Sequence, residues 1–122
     1  MASMGTVVTR IEILSQRGEP RSESLEVLVD TGATLSVLPR PLLESLGIEP
    51  TGQVTLRLGD GRRIRRDVAD VRVRLEGETI WTGVVFGEPA DPAVLGLTAL
   101  ERRGVTVDPV DQRLVPTAFI LY

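Results

Sequence analysis

The 122-residue sequence contains no cysteine and no histidine. Without cysteine there is no disulfide, no thiol nucleophile and no structural cysteine zinc site. Without histidine the Ser-His-Asp and Cys-His mechanisms are excluded, together with the commonest metal ligand. No metal and no other cofactor is expected. Acid–base chemistry near neutral pH is left to carboxylates in unusual surroundings. Aromatic residues make up 3% of the chain, too few for a stacking surface on single-stranded nucleic acid. No window approaches the run of about 18 apolar residues that a membrane-spanning helix requires, so no membrane partner is expected. The N-terminus has no signal-peptide pattern, which makes a cytoplasmic location the default. Met1-Ala2-Ser3 ahead of Met4 has the look of an added leader over residues 1–4.

What is present suits one compact domain over residues 1–122. Hydrophobic residues are 42% and charged residues 25%, enough for a real core and against wholesale disorder. The net charge is -3, and every basic residue is an arginine. The one basic block, Arg62-Arg63-Ile64-Arg65-Arg66, reads as a solvated face. A preference for acidic substrates or weak nucleic-acid binding are the alternatives. Asp67 and Asp70 offset the block, and no nucleic-acid partner is expected.

Alternating apolar and polar residues predict strands over 7–14, 25–29, 54–58 and 79–86. A polar loop is expected over 16–24. Another short apolar strand falls at 35–38. Pro41 opens a helix with Leu42, Leu43 and Leu46 on one face, and Gly47 closes it. Gly59-Asp60-Gly61 is the best hairpin signal, with Asp60-Gly61 suited to a primed turn. A long return strand follows, alternating over 71–75, and Glu76-Gly77 forms a second turn. A loop over 87–92 leads to a short strand over 93–97. Thr98 and Glu101 match a capping box, and Gly104 ends that helix. Strands over 105–108 and 113–115 follow, then an apolar, extended tail over 117–122. Strand, helix, glycine, strand, acid and proline occur twice, after Val37 and after Val94. Many short strands and two short helices make a mostly-β barrel or sandwich.

Asp30 is the residue that invites a chemical reading. It ends an apolar strand and precedes a second apolar run, Leu35, Val37 and Leu38. An isolated Asp in this position can simply cap a turn, accepting N–H bonds from Gly32 or Ala33. A carboxylate held between buried segments instead needs partners or a proton.

Val29-Asp30-Thr31-Gly32-Ala33, followed by Val37-Leu38-Pro39, resembles the active-site signature of retropepsin-like aspartic proteases. Val94-Leu95-Gly96-Leu97 with Leu100 resembles their second motif, two hydrophobic residues and a glycine. Leu95-Gly96-Leu97 through Arg102-Arg103 to Val107-Asp108 looks most like the bacterial and DNA-damage-inducible-type cellular branch. The resemblance implies a single retropepsin-like barrel with two short helices, acting as a homodimer on an extended peptide or protein substrate. The active site would lie at the dimer interface, with Asp30 catalytic. The two Asp30 carboxylates would share a proton and activate a water for peptide hydrolysis. This needs no histidine, cysteine or metal.

By the same resemblance Thr31 would hydrogen-bond across the dimer, and Gly32 would permit the tight turn. Val94, Leu95 and Gly96 would pack on the Asp30 loop, where a plain core role is also open to Val94 and Leu95. Ala33 stands where pepsin-like enzymes often carry a hydroxyl that stabilises the carboxylate. Its absence implies a pH optimum nearer neutrality. Many retroviral enzymes carry an acid directly after this Ala and an Arg directly after the later Gly. Here the residues are Thr34 and Leu97, so acid and base are missing together. Gly59, Asp60, Gly61 and Arg62 fall where the substrate-covering flap would lie. An ordinary surface hairpin is the alternative. The tail over 117–122 is strand-like enough to enter a dimer sheet. A catalytically inactive peptide-binding or dimerisation module with the same fold is the second functional reading, and a small β-barrel nucleic-acid binder the third.

Overall fold

The structure, a computed structural model, describes residues 7–119. The leader over 1–4 and the last three tail residues lie outside the described residues. The chain runs β1 (Val7–Leu14), β2 (Ser22–Val29), β3 (Ser36–Pro39), α1 (Arg40–Ser45), β4 (Gly52–Arg57) and β5 (Arg63–Leu75). It continues with β6 (Glu78–Gly87), β7 (Val94–Leu95), α2 (Leu97–Arg103), β8 (Val105–Asp108) and β9 (Arg113–Pro116). This is the mostly-β architecture with two short helices that the sequence predicts.

Seven strands form one sheet in the order β1-β2-β7-β3-β6-β5-β4, and β1 also pairs with β5 through Glu12↔Arg74 and Ile13↔Val73. Six strands therefore close into a ring, and β4 hangs outside it on β5. Closure removes the free edges that an open sheet would expose. Exchanging β1 with β5, β2 with β6 and β3 with β7 maps the pairings of the ring onto themselves. β2 runs parallel to β7 as β6 runs parallel to β3, and β3 meets β7 antiparallel at Val37 and Val94. Each inner strand leads into a short helix, so the repeat in the sequence corresponds to a repeat in the topology.

Period-two burial places the core. On β5, Ala69, Val71, Val73 and Leu75 point inward while Arg74 faces solvent. On β1, Val7, Ile11 and Ile13 are buried and Val8 and Arg10 are exposed. Leu43 and Leu46 seal one side beneath Gly47 (φ 72°), and Leu100 seals another.

Three local expectations change. β2 starts at Ser22, inside the predicted loop, because Ser22, Glu23 and Ser24 pair with the end of β1. Backbone pairing does not require apolar side chains. The primed turn is at Glu76-Gly77, where both residues have positive φ (48° and 80°), and it joins β5 to β6. At the other hairpin only Gly61 has positive φ (89°), and Gly61 N–H donates to Leu58 O while Leu58 N–H donates to Arg62 O. That is a three-residue loop with a left-handed glycine, a wider turn than the primed one. Thr98 does not cap α2. The cap is Gly96, and Thr98 lies inside the helix with its hydroxyl buried and without a partner among the described residues. In the tail, Thr117, Ala118 and Phe119 carry no strand pairing within the single chain. Thr117 N–H donates to Gly104 O, and the Phe119 ring lies close to Gly104. A strand needs a partner for its ladder, and the single chain offers this segment none.

Candidate active site

The Asp30 loop is fixed by backbone bonds before any side chain contributes. β2 ends at Val29, and Asp30 N–H donates to Leu95 O at 3.0 Å. Ala33 N–H returns to Asp30 O at 3.1 Å and closes a tight turn. Within that turn Gly32 N–H donates to Asp30 Oδ1 at 2.8 Å. The next two carbonyls reach α2. Leu97 N–H donates to Ala33 O at 2.7 Å and Thr98 N–H to Thr34 O at 3.1 Å. These loop carbonyls take the orphan donors of the helix start, which is why no side-chain cap is present.

Gly96 stands where the two segments cross. A Cβ there would lie 2.6 Å from the carbonyl carbon and oxygen of Leu35 and 2.9 Å from Ala33 O. Only glycine fits. The fully buried Ser36 hydroxyl accepts Gly96 N–H at 3.0 Å and ties the crossing from the other side. Val94 and Leu95, both buried, form β7 between β2 and β3. The structure therefore brings Asp30, Gly32, Ala33, Val94, Leu95 and Gly96 into one cluster.

One part of the sequence reading is corrected here. Asp30 is not held between buried segments. Asp30 and Thr31 are exposed, Val29 is half-buried, and Leu28 is 41% exposed. Alternation along β2 buries Val27 and turns Leu28 outward opposite Val8. Among the described residues nothing covers the outer side of the loop.

A cleft of about 530 Å³ opens beside the loop. Gly32, Ala33 and Leu35 form one wall and Leu56, Arg57 and Leu58 of the β4–β5 hairpin the other. The tip residues Gly59, Asp60, Gly61 and Arg62 do not line it; they are exposed at the end of the hairpin. Arg62 closes on Asp60 there, with Nε 2.6 Å from Oδ2, and its backbone N–H also donates to Oδ1. Those bonds, the backbone one first, hold the Asp60 carboxyl below its ordinary range. The hairpin walls Leu56 and Leu58 are the residues that sequence reasoning passed over. Their alternation in Val54, Leu56, Leu58 was the available signal.

At the hairpin root Asp67 accepts from Gln53 Nε2 at 3.0 Å and from Arg40 Nη2 at 2.8 Å. Both bonds lower the Asp67 pKa from its usual value, Gln53 first. The Arg40 guanidinium, raised in turn chiefly by Asp67, lies 5.0 Å from the centre of the Phe86 ring. Among the described residues no three His, Cys, Asp or Glu side chains gather to hold a metal ion, and no helix is long and apolar enough to cross a membrane.

The family described as "gag-polyprotein putative aspartyl protease" matches residues 19–102, more than half of the chain. The chain belongs to this aspartyl protease family. Its retropepsin-like fold is shared with solved retroviral enzymes. The EIAV protease, solved with the inhibitor HBY-793, is 21% identical with a TM-score of 0.63, covering 84% of this chain and 92% of that one. The simian foamy virus (mac) protease, a solution structure, is 20% identical with a TM-score of 0.56, covering 77% and 91%. At these identities the likeness is one of fold. No curated protein matches the chain. The matched region spans β2 to α2 and so includes the Asp30 loop, the hairpin and the Gly96 crossing of this retropepsin-like chain.

Proposed function

We propose that the chain is an aspartic endopeptidase that works as a homodimer, with one Asp30 from each copy. The observation that carries this reading is the setting of Asp30. It is an exposed carboxylate on a backbone-locked turn, beside a cleft, inside a protease family match. Leu28 and Leu97, both exposed apolar side chains, flank the same loop. A monomer would leave them in water, and a second copy would cover them.

Two carboxylates facing each other cannot both ionise, so the pair carries one proton. The ionised Asp30 takes a proton from water as the water oxygen bonds to the scissile carbonyl carbon. The protonated Asp30 gives its proton to the carbonyl oxygen. When the C–N bond breaks, the nitrogen leaves with a proton from one carboxyl of the pair, and a hydroxyl of the tetrahedral diol gives its proton to the other, which restores the singly protonated pair. Thr31 bonds across the two-fold axis, Gly32 and Ala33 shape the turn, and Val94, Leu95 and Gly96 support it. The hairpin with Gly59, Asp60, Gly61 and Arg62 at its tip closes over an extended peptide, which binds as an added strand.

The run from Leu95-Gly96-Leu97 through Arg102-Arg103 to Val107-Asp108 favours the bacterial and DNA-damage-inducible-type branch, and Thr34 and Leu97 depart from the retroviral acid and base. Backbone bonds from Leu97 and Thr98 to Ala33 and Thr34 join the two segments without an ion pair. The test is cleavage of a peptide library by wild type and Asp30→Asn. Wild-type cleavage that the substitution abolishes supports the reading. Equal cleavage by both, or none by either, overturns it.

A further inference from the structure

The basic block in the hairpin is not uniform. Arg63 and Arg65 are exposed, whereas Ile64 and Arg66 alternate with them and share the other face of β5. The Arg66 side chain is only 22% exposed. Together with Ile64, it lines a recess of about 150 Å³ beneath the hairpin. Val37, Leu56, Leu58 and Val85 line this recess and the Asp30 cleft alike, so the two are continuous.

Arg66 is short of acceptors. Its Nε is buried with no hydrogen-bond partner among the described residues. Asp91 is the nearest acid, with Oδ2 3.8 Å from Nε, beyond hydrogen-bond length. That same oxygen is already committed to Glu88 N–H at 2.8 Å. Among the described residues the one hydrogen bond the Arg66 side chain makes, from Nη1 to Arg65 O, is long at 3.4 Å. A guanidinium has five N–H donors, and a partly buried one is costly while they stay unmet. The remaining walls are apolar, with Val37, Leu56, Ile64, Val85 and Val94 among them.

We infer that Arg66 is a specificity-determining residue, and that the recess takes a substrate side chain with an apolar stem and a carboxylate end, glutamate above all. The stem would lie along Val37, Leu56 and Val94, and the carboxylate would supply the acceptors that Asp91 does not. A lysine would meet a cation, and a leucine would leave the guanidinium unmet. Asp91 opposes the incoming charge, so its removal should sharpen the preference. The inference rests on the protease reading above.

The experiment uses the full chain and peptide sets in which one position at a time is varied among Glu, Gln, Leu and Lys. At one position kcat/KM for Glu should exceed that for Leu by about tenfold, the size of one charge-assisted hydrogen bond. Arg66→Leu should abolish or reverse that ratio, with the change mostly in KM, and Asp91→Asn should widen it. Cleavage of the leucine peptide by Arg66→Leu shows that this variant is folded. Binding of the same peptides to Asp30→Asn should follow the same order without turnover. If cleavage requires Asp30 but the Glu-to-Leu ratio is the same in wild type and Arg66→Leu, the inference fails and the protease reading stands. If Asp30→Asn cleaves as well as wild type, the protease reading itself fails.

Discussion

Gly96 and Leu35 are in backbone contact so close that a methyl group on Gly96 would sit 2.6 Å from the Leu35 carbonyl. The obstacle is main chain, which no rotamer change can move aside. Gly96→Ala should therefore displace the Asp30 loop, at a cost of about 1–3 kcal/mol in urea unfolding, and cut cleavage far more than substrate binding at the hairpin. Gly52→Ala is the control, because a Cβ there would come no nearer than 3.9 Å to its closest neighbour, Val68 Cγ2. Equal stability and activity of the two variants would contradict the steric argument.

Asp67 sets an acid limit on the hairpin root. Gln53 and Arg40 lower its pKa in the folded chain, so the native state binds fewer protons at this site than the unfolded state. The stabilisation is complete above the ordinary carboxylate range and is lost as pH falls through the lowered value. Thermal unfolding followed from neutral to acidic pH should show a loss in wild type that is smaller in Asp67→Asn. Parallel curves for the two proteins would remove Asp67 from the account.

Ala33 offers no hydroxyl to the neighbouring carboxylate. Ala33→Ser would add a donor that favours the ionised form of the Asp30 pair, and the pH optimum of cleavage should move toward acid. An optimum that is unchanged, or moves toward base, contradicts that role for residue 33.

A site shared between two copies would make activity depend on concentration. Specific activity should fall as the enzyme is diluted below the dimer dissociation constant, and inactive Asp30→Asn chains mixed with wild type should lower it further by forming mixed dimers. Specific activity that stays constant across dilution, with sedimentation showing monomers, would exclude the shared site.

The strands were readable where one rule acted alone. Val71, Val73 and Leu75 alternate because β5 faces the core on one side and water on the other. Readings failed where a distant segment decided the outcome. Thr98 and Glu101 have capping-box spacing, yet the helix starts earlier because Ala33 O and Thr34 O already hold the first donors. Asp60-Gly61 and Glu76-Gly77 look alike as dipeptides, but strand pairing leaves a two-residue loop only at the second. The Asp30 turn was legible from its own residues. The exposure of Leu28 and the recess at Arg66 were not, because they depend on what β1 and the hairpin cover.

The ring of six strands and the overhanging hairpin divide the molecule into two tiers of persistence. Residues 63–67 of β5 pair only with β4, while the rest of β5 is stitched to β6 and β1. The hairpin can therefore peel away without breaching the ring. Its amide hydrogens should exchange with solvent through brief local openings, while those of Val71, Val73 and Val84 wait for the whole barrel to come apart. A part that opens often, carried on a part that seldom does, would let a polypeptide enter the cleft while the frame around Asp30 keeps its shape.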